Sequence, residues 1–145
     1  MATLGRKLTP YVRLGILGAI TTSMVIHLFV WFFSLGQTFV HFLLGLVLFL
    51  PVPIIIGSLA GLLTWAIGGR PGSRFAYWFG FLATGAGYYY GTYISEYLYQ
   101  WSQNDWQFRA SAIVGPLIAG VLVEVAMILV VLVWRMIAKL LTRKS

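Results

Sequence analysis

The chain has 145 residues, 60% of them hydrophobic, 17% aromatic and only 9% charged, with no cysteine, and its mean hydropathy is +0.89. That is too apolar for one soluble core of this size and predicts an all-α, polytopic membrane protein. The formal charge of +7 reads as topology determinants and contacts to anionic lipid, not as a nucleic-acid footprint, and the missing cysteine excludes disulfides, thiolate metal sites and a cysteine nucleophile.

Apolar runs cover residues 14–35, 38–67, 75–99 and 111–134, the last continuing as a helix to about 141. Each reaches the roughly 20 residues that a helix needs to cross hydrocarbon. Lipid offers backbone amides and carbonyls no partner, and the runs are continuous instead of alternating, so helices are expected and a barrel is not. The expected architecture is one domain, residues 1–145, with four transmembrane helices in an antiparallel bundle.

The first run follows Arg6, Lys7 and Arg13. It is longer than the apolar core of a signal peptide and is read as retained. Gly15, Ala19, Ser23 and His27 recur every four residues, a narrow stripe of the kind that lets helix backbones approach in lipid. His27, and His41 beyond the short Ser34–Gln37 connection, are candidate ligands for a haem iron or a chlorophyll magnesium. Their depths differ by roughly 6 Å at the helical rise, which disfavours a shared haem and leaves His41 as an interfacial residue. Lipids are the expected small-molecule contacts, with haem or chlorophyll as the alternative.

The second run carries Pro51 and Pro53 near its centre. Each proline removes an amide donor and crowds the carbonyl four residues earlier, so a kink or break is expected, with carbonyls near Val47 and Phe49 losing their usual partners. Such a break serves either an ion site or ordinary helix packing.

In the third run Gly80, Thr84, Gly87 and Gly91 fall on neighbouring positions of one face, followed in the fourth by Pro116, Gly120 and Glu124 at a four-residue step. Glu124 is the one acidic residue deep inside an apolar run, and a carboxylate at that depth requires protonation, a partner or a polar cavity. Helical rise from the basic flanks puts His27 and Tyr88 at ~20 Å and Glu124 at ~16 Å. The sequence therefore predicts a buried polar cluster of Glu124, His27 and one or more of Tyr88, Tyr89 and Tyr90, serving an ion, a partner or helix register.

Between the last two runs, Trp101, Trp106 and Arg109 form an aromatic and polar segment. It is expected either to lie at the membrane surface or to anchor a partner. Nine of the ten basic residues fall on one side: Arg6, Lys7, Arg13, Arg70, Arg74, Arg135, Lys139, Arg143 and Lys144. The positive-inside rule then puts both termini in the cytoplasm, in a bacterial-type inner membrane. GxSxG, HExxH and Walker A motifs are missing, so neither an enzyme nor a metal site is expected. The expectation by elimination is a small non-catalytic subunit of a larger membrane complex, in contact with other integral membrane subunits or with its own copies. A small oligomeric channel or transporter using Glu124 and the proline break is the alternative, and a pigment or haem carrier the second.

Overall fold

The computed structural model describes residues 2–34, 38–68, 74–102 and 105–142, with side chains described over 7–34, 38–68, 74–98 and 112–142. Five helices account for nearly all of it: α1 (Ala2–Phe33), α2 (Phe39–Phe49), α3 (Pro51–Ala66), α4 (Phe75–Ser102) and α5 (Asp105–Thr142). There is no strand among the described residues.

Two of these helices are long and apolar enough to cross a membrane by themselves, within Lys7–Phe33 and Ala112–Thr142. The pair α2 and α3 qualifies jointly as a third, bent by 42° at its break. The fourth expected span, α4, is long enough at 28 residues, but its tyrosines, glycines and threonines dilute its apolarity. Helix ends also move outward from the expected bounds. α1 starts at Ala2 and contains Pro10, which has no amide to give the carbonyl four residues earlier. α4 continues to Ser102 and α5 begins at Asp105, so most of the expected surface segment joins these two helices instead of forming an element of its own. Nothing in Asp105–Ala110 breaks a helix, and an acidic first residue favours its start.

Backbone-to-backbone approach at glycines determines how the helices meet. Gly57 and Gly61 of α3 face α1: a Cβ on Gly57 would stand 2.5 Å from the Ile16 Cα, and one on Gly61 would stand 2.5 Å from that of Val12. Gly15 meets the same two glycines from the α1 side, and Gly80 of α4 abuts the carbonyl of Gly15. Further along α4, Gly91 packs on Pro116 and Gly87 on Gly120, both of α5. The glycines expected to share one α4 face therefore serve two partners, Gly80 meeting α1 while Gly87 and Gly91 meet α5. Val52, Ile56 and Ala83 are buried where these contacts converge, with Phe49, Tyr88 and Leu117 packed around them. Thr22 ties α1 to α4 by donating to the Phe81 carbonyl at 2.9 Å.

The break between α2 and α3 falls at Leu50, one residue before Pro51. Pro51 has no amide for the Val47 carbonyl, and the Leu50 amide takes that acceptor instead at 3.3 Å. Val47 thus keeps a partner, contrary to the expectation of a lost one, because the helix tightens locally before it turns. α3 packs against α1, α4 and α5, whereas α2 touches α1 and, slightly, α3. At the other end of α3, Gly68 has a φ of 73°, which suits a residue with no Cβ at a helix terminus. Arg135 of α5 donates to the carbonyl of Ile67, so α3 ends against α5.

Gly57→Val adds side-chain atoms against the Ile16 backbone and should lower resistance to unfolding by about 1–3 kcal/mol or more. Gly45→Ala, whose new methyl would meet only the His27 ring at 3.6 Å, should be close to neutral. Unfolding by denaturing detergent in mixed micelles, followed by helical circular dichroism, ranks the two.

Candidate functional site: an open groove and a separate buried carboxylate

The 42° bend has a geometric consequence. On one side of Leu50, α3 fills the space between α1, α4 and α5; on the other, α2 turns away and leaves that space open. The opening is a groove of about 500 Å³, within the range that holds small molecules. Ile26, His27 and Val30 of α1 form one wall, and Ala112 and Pro116 of α5 the opposite one. Tyr88, Thr92, Ser95 and Glu96 of α4 run along its floor, and Phe49 closes the end at the break.

The polar groups of the groove are held in place by their own helices. Nδ1 of His27 donates to the Ser23 carbonyl at 2.8 Å, and in the neutral ring this leaves Nε2 as an acceptor. The Ser23 and Tyr88 hydroxyls share a hydrogen bond of 3.1 Å across α1 and α4. The His27 ring lies edge-on to Tyr88 with centroids 5.7 Å apart, and 5.6 Å from Phe49. Thr92 donates to the Tyr89 carbonyl at 2.7 Å, which keeps its oxygen lone pairs available. Glu96 is exposed at the rim.

Of the expected cluster, then, the structure brings together His27 and Tyr88, with Ser23 as their link. Tyr89 and Tyr90 point away from the core and are 63% and 55% exposed, because successive helical positions turn by about 100°. Glu124 is not with them. It lies two turns along α5 from Pro116, roughly 12 Å at the helical rise, and only 1% of its surface is accessible. Its carboxyl faces the backbone at Ala60 of α3, yet neither oxygen completes a hydrogen bond among the described residues. The hydroxyl of Thr84, also fully buried, is likewise unpartnered. The equal heights inferred from the sequence assumed that each span starts level with its basic flank, whereas the glycine contacts set the actual register.

His41 is exposed and hydrogen-bonded to Thr38 at 2.7 Å, at the start of α2. Gly45, not His41, faces His27, so the two histidines do not converge on one ligand. Ala19 is fully buried in α1. Trp101, Trp106 and Arg109 lie outside the residues whose side chains are described. No group of three or more metal-ligating side chains occurs among the described residues. Sequence reasoning missed Phe49, Thr92, Ser95 and Glu96 as partners of His27. The proline break was the available signal, since the groove exists only because α2 leaves the bundle there.

Comparison with protein-family models, with curated proteins and with solved structures found no match.

Replacing both Pro51 and Pro53 by alanine returns two amide donors and should straighten the pair, bringing α2 back over the groove. The chain has no cysteine, so Thr92→Cys supplies a clean single reporter. Its labelling by a membrane-permeant maleimide should slow several-fold in the double-alanine background, and an unchanged rate would contradict this origin of the groove.

Proposed function

We propose that this chain is a small non-catalytic integral membrane subunit with four spans running alternately in opposite directions and both termini cytoplasmic, in a bacterial-type inner membrane. α4 supplies the fourth span: its contacts with α1, α3 and α5 shelter Gly80, Thr84, Gly87 and Gly91 among helices, where lipid-facing apolarity is not required. The pairing of Gly57 with Ile16, Gly61 with Val12, Gly87 with Gly120 and Gly91 with Pro116 supports the alternating directions. The side rich in Lys and Arg supports the orientation.

One observation carries the subunit reading, the overhang of α5. At 38 residues it is about 57 Å long, against ~40–45 Å for a bilayer with its headgroups. It passes the end of α3 at the contact between Arg135 and Ile67 and continues for nearly two further turns. Leu129, Val133, Ile137 and Leu140 form an exposed apolar stripe along this half, on the face opposite Arg135 and Lys139. A stripe that leaves the hydrocarbon needs cover, and a partner's helix supplies it. Ile137→Glu with Leu140→Glu should release partner polypeptides from the particle extracted in mild detergent while the helical signal stays intact. Partners retained in fixed ratio with the wild-type chain support the reading; a wild-type chain extracted only with its own copies overturns it.

A second reading, cation or proton transport, is favoured by the unpartnered burial of Glu124. A buried polar group without partners costs about 1–3 kcal/mol, so Glu124→Met should leave stability equal or improved. Under the transport reading the same variant, reconstituted in vesicles, loses ion flux. Undiminished flux from a folded Glu124→Met protein excludes this role.

A further inference from the structure

We infer that the groove beside His27 is a binding site for a lipophilic monocation, an apolar body carrying one positive charge. The inference stands on the groove itself and is independent of the subunit reading. Three features converge on this ligand class. The first is access: α2 has turned away, so the groove opens sideways between α1 and α5 along about two turns of α4, and a molecule dissolved in the membrane enters without crossing a polar surface. The second is charge, because the single ionic residue of its lining is Glu96, at the rim, and no Lys or Arg lines it among the described residues. A phospholipid headgroup, whose phosphate requires cationic or amide donors, is therefore poorly matched.

The third is the chemistry of the inner end. Tyr88, Phe49 and His27 line the groove there as a triangle of rings with centroids 5.6, 5.7 and 6.3 Å apart, and aromatic rings attract a cation stripped of water. The walls are otherwise apolar, with Ile26, Val30, Ala112 and Pro116 among them. A neutral apolar molecule would make no use of Glu96, and an anion would be repelled by it. The site accordingly selects charge by sign while its walls provide the apolar contact.

The test uses ions of the same shape and opposite charge on the full chain in lipid nanodiscs. Tetraphenylphosphonium and tetraphenylborate are titrated by equilibrium dialysis, with empty nanodiscs subtracting partition into lipid. The cation should bind saturably and roughly tenfold or more tightly than the anion. Glu96→Gln should weaken the cation several-fold and reduce the preference. Ala112→Phe, which fills the groove without altering charge, should abolish saturable binding while the detergent-resistant fold is retained. Equal binding of both ions, or cation binding unaffected by Ala112→Phe, would overturn the proposal, as would no saturable binding of either ion.

Discussion

Close contact between helix backbones is the constraint on which the rest of this fold depends. Among lipid-like surfaces there is little hydrophobic gain in pressing one helix on another, so association relies on van der Waals contact and hydrogen bonds. The glycines on α1, α3, α4 and α5 permit that contact by leaving no Cβ in the way, and at Gly15, Gly57, Gly61, Gly80, Gly87 and Gly91 the approach is against backbone atoms. Backbone cannot move aside as a flexible side chain can. The register of the helices is therefore tightly specified, and with it the depth of every side chain they carry.

The proline break works against this background. α3 has two glycines and several small or compact residues on its buried face and joins the core; α2 has Gly45 alone and large aliphatic and aromatic residues, with His41, elsewhere. Once Pro51 withholds its amide and the axis turns, Phe49 at the end of α2 still packs on Tyr88 of α4, and the helix beyond it leaves the core. The groove follows from this difference between two halves of one apolar run. His27 belongs to the groove because its nitrogen is held by the Ser23 carbonyl and its ring packs beside Phe49 and Tyr88.

Two polar features thus occupy separate places and call for separate chemistry. The groove is open and lined mostly by apolar and aromatic side chains, with Glu96 at its rim. Glu124 is enclosed at the junction of α3 and α5, with no hydrogen bond among the described residues. The groove borders the core through Phe49 and Tyr88, which line the one and pack on the other. α5 links groove and carboxyl, since Pro116 lines the groove and Glu124 lies on the same helix two turns away.

The sequence by itself determined that the chain is helical with runs long and apolar enough to cross a membrane, that the second run breaks beside Pro51, and that Glu124 and His27 lie on inward faces. Those properties follow from composition, from periodicity and from the chemistry of single residues, which are local. Tertiary structure alone decided that His27 meets Tyr88 and not Glu124, that Tyr89 and Tyr90 face outward, that Gly80 and Gly87 serve different neighbours, and that α4 is sheltered in spite of its weak apolarity. Each of these depends on the relative shift of two helices. Apolar runs constrain that shift only to within a few residues, whereas a glycine against a backbone settles it.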